Sequence, residues 1–165
     1  MKELVDVKRE EYRQYIDNHM ANVWNSFINN KYLFIDTFGL ITCAKAQSNI
    51  INHDKSKLEP EEFEPYRKNF YPVSDEEKEN NKGSFQMAVQ HHYEHNPHHW
   101  NHWVDSEGNV EEMDDIHIIE MICDWMAMGI QYGNTAKQYY EKEKHNIKLG
   151  PYTRAKVELF LSKIN

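Results

Sequence analysis

The sequence predicts an all-α protein, a single domain over residues 1–165 arranged as a bundle of about six to seven helices. Three observations predict it. Apolar residues recur at steps of three and four along most of the chain. The breaks fall at Pro-Glu-Glu, Asn-Pro and Gly-Pro, which are helix-end signals. No stretch alternates like a strand, and there is no repeat or low-complexity tract. At 165 residues the chain is long enough for one core and short for two.

Taken in order, residues 8–29 place Tyr12, Ile16, His19, Met20, Val23 and Phe27 on one helical face, so His19 lies on an inward stripe. A second helix runs from about Leu40 to His53, with Ile41, Ala44 and Ile51 among its apolar positions. Pro60, Glu61 and Glu62 form a first turn, where Pro loses no hydrogen bond and acids suit the dipole; this helix reaches about Asn69. The acidic, unpatterned "YPVSDEEKENNKG" reads as a mobile loop or lid. Ser84 to His95 is helical and ends at Asn96-Pro97, because the residue before Pro avoids helical geometry. "DSEGNV" is a turn joining two short strands. Asp114 or Asp115 caps a strongly apolar helix that stops near Gly133. Asn134 caps another through about Lys144, and Gly150-Pro151 precede a last amphipathic helix carrying Val157, Phe160, Leu161 and Ile164.

Composition narrows the function. With 19 basic against 27 acidic residues the formal charge is −8, and no basic stripe exists to displace counterions from a duplex nucleic acid. A small phosphorylated ligand fits better, since a bound metal brings positive charge locally. Cys43 and Cys123 lack CxxC spacing and read as reduced core residues of a cytoplasmic protein. The charged N-terminus reads as neither signal peptide nor membrane span, so no membrane partner is expected. The ten histidines are roughly two to three times ordinary usage, and five of them fall between His91 and His99. That cluster is internal and interleaved with Tyr, Asn and Pro, which points to metal rather than to a tag.

His53 and Asp54 sit side by side at the end of an apolar helix, while His117, Glu120 and Asp124 share a stripe at i, i+3, i+7 on another. A buried Asp124 needs a cation or strong donors, and Arg is scarce. Singly, these residues read blandly. His19 is a core or surface histidine, His53-Asp54 a helix-end bridge, Asp124 a hydrogen-bonded acid and His145 a solvated residue; His117 and Glu120 support neighbours rather than ligate. Together they form an ordered set on separate helices, and one metal would satisfy His53, Asp54 and Asp124 at once.

In that order, His19, then His53-Asp54, then Asp124, the chain resembles the HD-domain superfamily of metal-dependent phosphohydrolases. The run "HDKSK" resembles its His-Asp-x-(Gly/Ser)-Lys form, and "HHYEHNPHH" stands where two-metal members place extra histidines. More narrowly, "HDKSKLEPEEFEPYRKNFY", "HHYEHNPHHWNHW" and "EMICDWMAMG" are similar to a family of small bacterial and phage proteins that brings no activity with it. The resemblance implies an HD-like helical bundle with His19, His53, Asp54 and Asp124 on metal. A second ion would recruit His92 or His91 and one of His98 and His99, with His92 and His99 the favoured pair. It implies one or two ions of Mn, Fe, Co or Zn, given mixed N and O donors, and a nucleotide-like phosphoester hydrolysed by metal-activated water. Lys57 would contact the substrate phosphate, and Glu120 or a histidine would orient the water or protonate the leaving oxygen. Lys57 stands where mononuclear nucleotidases of the superfamily often carry Glu, so the acid must come from elsewhere or the two-metal variant applies. Trp100, Trp103, Tyr93 and Phe70 offer stacking surfaces for a base. Two further readings use the same residues: an HD-type di-iron oxygenase, and a non-enzymatic metal-stabilised binding protein such as a phage factor. A homodimer is compatible with any of them.

Overall fold

The helix signals are realised as nine α-helices and two short 3₁₀ turns among residues 2–164, the part that this computed structural model describes. They are α1 (Lys2–Asn29), α2 (Lys31–Phe38), α3 (Leu40–Ile51), a 3₁₀ turn (Lys55–Leu58), α4 (Pro60–Phe70), α5 (Asp75–Asn80), α6 (Lys82–His95), a second 3₁₀ turn (Trp100–Trp103), α7 (Asp115–Tyr132), α8 (Ala136–Glu143) and α9 (Pro151–Lys163). The all-α class holds. The count exceeds the six to seven expected because α2 and α5 are separate short helices. In place of two short strands around 105–110 there is one antiparallel bridge, Val104 to Val110, closed over a turn in which Asp105 Oδ1 accepts from the Glu107 and Asn109 amides. None of the described helices is long and apolar enough to cross a membrane.

The chain divides into two compact units, each made of separated segments. One comprises Met1–Asn18 and Asp54–Asn96, the other His19–His53 and Pro97–Asn165.

In the first unit α4 packs on α6 and on the 3₁₀ turn. Tyr12 and Ile16 are buried, and the Tyr12 ring lies 5.2 Å from Phe63 and 5.8 Å from Tyr71 between centroids. The stretch expected to be a mobile loop is instead organised as α5. Ser74 caps it, its hydroxyl accepting from the Glu77 amide at 3.1 Å, and three acids fill the first turn. Arg67 holds it down: its buried guanidinium donates to both Glu77 oxygens at 2.8 and 2.9 Å and to Glu64 at 2.9 Å. A bidentate fork of this kind fixes orientation as well as charge.

In the second unit α7 packs against α3, α8 and α9. Val23, Phe27, Phe34, Ile118, Ile119, Ile122, Val157 and Phe160 form the centre of its core, with Phe34 and Phe160 stacked at 4.2 Å. Cys43 and Cys123 are free thiols inside it. The α3 face differs from the one read off the sequence. Cys43, Ala46 and Ile50 point inward, whereas Ile41 and Ile51 are 74% and 53% exposed. The phase is set by Gly39, whose φ of +86° turns the chain between α2 and α3 and restarts the helix.

Candidate metal centre

Five side chains converge within the second unit. His19 comes from α1, His53 follows the end of α3, and His98 precedes the second 3₁₀ turn. Glu120 and Asp124 stand one turn apart on α7. The apolar neighbours Ile118, Ile119, Met121 and Ile122 bury α7, so that Glu120 is buried and the Asp124 side chain is only 13% exposed. The segment carrying His98 is anchored by Trp103, whose indole N–H donates to the Pro97 carbonyl at 2.7 Å.

The Nε2 atoms of His19 and His53 are 3.2 Å apart, and they lie 3.1 and 3.9 Å from Asp124 Oδ1. Donors on a tetrahedral ion with bonds of about 2.0–2.1 Å stand about 3.3 Å from one another, so this triangle has the dimensions of a coordination face. His98 joins from another side: donor atoms of His53, His98 and Asp124 all lie within 4.8 Å of one another. The group could hold a metal ion.

Glu120 sits behind the imidazoles. Its Oε1 accepts from His53 Nδ1 at 2.9 Å and lies 3.3 Å from His98 Nδ1; His117 Nδ1 is 3.8 Å from Oε2. An ionised carboxylate can only accept, so His53 carries a proton on Nδ1, and in the neutral ring its Nε2 would be the donor atom for an ion. Carboxylate–imidazole–metal arrangements are built this way. Burial works to raise the Glu120 carboxyl, but bonds from His117, His53 and His98 outweigh it and hold the group well below the usual range. Burial likewise opposes charge on Asp124, and the His19 bond with the charges of His53 and His98 pulls it down. The largest stabilising contributions to these two carboxylates come from histidines.

The first unit carries a second cluster. Asp54 takes a left-handed backbone, φ +56°, which Asp tolerates better than most residues and which reverses the chain after His53. Its Oδ2 accepts from Lys57 at 2.6 Å and its Oδ1 lies 3.3 Å from His92 Nε2. Fully buried Glu62 accepts from His92 Nδ1 and His91 Nδ1, each at 2.8 Å. Asn96 donates to Ser56 Oγ at 2.7 Å, and that hydroxyl is 3.3 Å from His92 Nδ1.

Of the residues expected from the sequence, His19, His53 and Asp124 are therefore together in one unit, and Asp54, Lys57 and His92 in the other. Of the neighbours His91 and His92, His92 is the deeper, 2% exposed against a partly buried His91, and both share Glu62. Between His98 and His99, it is His98 that joins His53 and Asp124, while half-buried His99 stacks on it at 4.2 Å. Glu120 stands among histidine Nδ1 atoms. Phe70 is 59% exposed, whereas Trp100 and Trp103 pack against the core. Sequence reasoning missed Glu62, which it read only as a first-turn acid, and it could not see that His98 has Glu120 behind it. Glu120 did carry a signal, as an acid inside the apolar run of α7, whereas Glu62 stands among Pro and other acids and carried none.

Neither the curated proteins nor the solved structures contain a match to this chain. A family of unknown function, DUF5662, matches it over residues 8–163, and the chain belongs to that family.

Proposed function

We propose that the chain is a metal-dependent phosphohydrolase acting on a nucleotide or related phosphoester. The observation that carries this reading is the group of His19, His53, His98 and Asp124, with Glu120 fixing two imidazoles from behind. Three imidazoles and one carboxylate favour Mn, Fe, Co or Zn over Mg. When bound, such an ion lowers the pKa of a coordinated water toward neutrality and offers positive charge to phosphoryl oxygen.

The chain's own residues supply the rest. His53 and His98 hold their protons on Nδ1 against Glu120 and keep Nε2 as donor atoms. Asp124 stays ionised despite its burial. Glu120, engaged with imidazoles, acts as a positioning residue in this reading, and the proton for the leaving oxygen comes from another group. Lys57 keeps the phosphate contact that the HD resemblance implies.

Elemental analysis of untagged protein beside Asp124→Asn tests the proposal, followed by a phosphoester screen with the metal found. One or two equivalents of Mn, Co or Zn, lost in the variant, together with metal-dependent phosphate release would support it. Iron alone with oxygen consumption would move the reading to a di-iron oxygenase. Bound metal without any turnover would leave a metal-stabilised binding protein, and absence of metal would sink the proposal.

A further inference from the structure

Ser26 of α1 is 5% exposed, and its hydroxyl makes no hydrogen bond with any described residue. A buried hydroxyl on a helix ordinarily folds back onto the carbonyl one turn earlier. Thr37 of α2 does so, donating to the Leu33 carbonyl at 2.9 Å, and buried Thr153 of α9 donates to Glu112 at 2.8 Å. Ser26 instead lines an open cleft of 520 Å³ that belongs wholly to the second unit. That volume falls within the roughly 300–1,000 Å³ of small-molecule sites.

Local structure explains why the cleft exists. The end of α1 and the start of α2 contribute Asn29, Asn30 and Leu33, while α7 and its exit contribute Met126, Ile130 and Asn134. Asn30 is pinned, its amide donating to the Ser26 carbonyl at 2.9 Å. Gly129 admits the returning chain: a Cβ there would meet the Asn134 carbonyl oxygen at 2.5 Å. Thr135 then caps α8 through a reciprocal pair of bonds with Gln138, which fixes the segment that carries Asn134.

The lining selects a kind of ligand. Four side-chain amides line the cleft, from Asn25, Asn29, Asn30 and Asn134, and no Asp or Glu does so among the described residues. The amides of Asn25, Asn29 and Asn134 are not engaged by any described residue. Lys163, the one charged side chain present, is already spent on Asp36 at 2.7 Å and on the Thr37 hydroxyl at 2.9 Å. Leu33, Met126 and Ile130 form an aliphatic wall, and no described aromatic ring lines the cleft to stack on a base. A side-chain amide both donates and accepts, so it pairs best with a neutral group of the same dual character. The peptide unit is such a group.

We propose that this cleft binds a short, uncharged aliphatic peptide, with the Ser26 hydroxyl and the asparagine amides pairing with its main-chain N–H and C=O groups. The site shares α1 and α7 with the metal centre but none of its residues, and it does not rest on the hydrolase reading.

The test uses the full chain labelled with carbon-13 at its methionine methyl groups, the Met126 resonance being assigned through Met126→Leu. The probe is N-acetyl-alanyl-leucine amide. The expected result is a saturable shift of the Met126 methyl. Ser26→Ala is expected to bind the probe roughly 3- to 10-fold more weakly, the worth of one neutral hydrogen bond. It should melt no lower than wild type, because alanine suits a helix and the hydroxyl has no internal partner to lose. Ile130→Glu places a carboxylate in the aliphatic wall at a position 63% exposed, and is expected to weaken the probe at least as much with the fold intact. A Met126 methyl that stays unmoved up to the solubility limit of the probe would overturn the proposal. So would a shift that neither substitution weakens, or adenosine or glucose moving the resonance at lower concentration than the peptide. A Ser26→Ala protein that melts clearly lower would also overturn it, since the hydroxyl would then serve the fold.

Discussion

The two units solve the same problem with the same part and then diverge. In each, one buried glutamate grips the Nδ1 atoms of two histidines: Glu120 takes His53 and His98, Glu62 takes His91 and His92. In each, an Nε2 is thereby turned toward an aspartate, Asp124 in one case and Asp54 in the other. The difference is the cation. Asp54 has Lys57 at 2.6 Å, whereas Asp124 has imidazoles for company. A cluster that sets one ammonium against its two carboxylates, Asp54 and Glu62, needs a single protonated ring to become neutral. One that stacks two buried carboxylates against histidines must either protonate several rings or accept a metal ion, because uncompensated buried charge is expensive. The pair therefore teaches which group would gain more from a metal ion, and that inference comes from counting charges rather than from the histidines themselves.

The comparison breaks most sharply at the aspartates. Asp124→Asn is expected to weaken metal binding by more than about 100-fold, beyond the 10- to 100-fold typical of a supporting residue. Elemental analysis after desalting reads this directly. Asp54→Asn is the counterpart variant: an ion that stays bound in it is held by residues of the second unit, among them His53, His98 and Asp124. Chelation of the wild type is expected to lower the melting temperature, since an ion at 100 times its Kd contributes about 2.7 kcal/mol to the folded state. If Asp54→Asn empties the protein of metal as Asp124→Asn does, the charge argument fails and both clusters serve ions.

The glutamates give the next contrast. Glu120→Gln leaves an amide N–H among imidazole N–H groups and is expected to cost 10- to 100-fold in metal affinity. Glu62→Gln disturbs two equally short bonds but is expected to act on stability, by about 1–3 kcal/mol, with the first equivalent of metal unaltered. Denaturant melts and metal titrations on both variants would show whether the two glutamates do different jobs.

Much of this was legible beforehand, and the residues show why. The face of α1 could be read because Tyr12, Ile16, Val23 and Phe27 keep one helical phase over many turns, and all four are buried. Asp124 could be read because an acid inside "MICDWMAMG" has no cheap solution. What failed was phase across a break: Gly39 resets the register, so α3 turns Ile41 outward. The 71–83 stretch failed for another reason. Its order comes from the reach of Arg67 to Glu77, a contact between residues whose sequence pattern is merely polar. Glu62 and His98 were invisible as partners because hydrogen bonds between distant polar residues leave no periodicity.

That Arg67 network supplies a pH contrast with the metal cluster. The Glu77 carboxyl is held below its ordinary value first by the Arg67 bond, and Glu64 is lowered by Arg9 and Arg67 against the opposing pull of its burial. Carboxyls lowered in the folded state add stability above their unfolded value near pH 4.5 and lose it as pH falls through the lower folded value. Glu77→Gln is therefore expected to cost about 1–2 kcal/mol at neutral pH and progressively less in acid, as denaturant melts at stepped pH would show. A cost that stays constant down to pH 3 would mean that the bond, and not its charge, matters.

The smallest expected effect guards the interpretation of the larger ones. Gly133 ends α7 in the left-handed region, φ +72°, and a Cβ there would meet nothing within 4 Å. Gly133→Ala should thus incur only backbone strain, about 1 kcal/mol. It lies on the same helix as Glu120 and Asp124 but touches neither. Its metal affinity is expected to equal that of the wild type while its melting temperature drops. Should Gly133→Ala lose metal in proportion to its lost stability, then the loss in Glu120→Gln would report general loosening of α7. Should it lose stability alone, the loss in Glu120→Gln belongs to the carboxylate that holds His53 and His98.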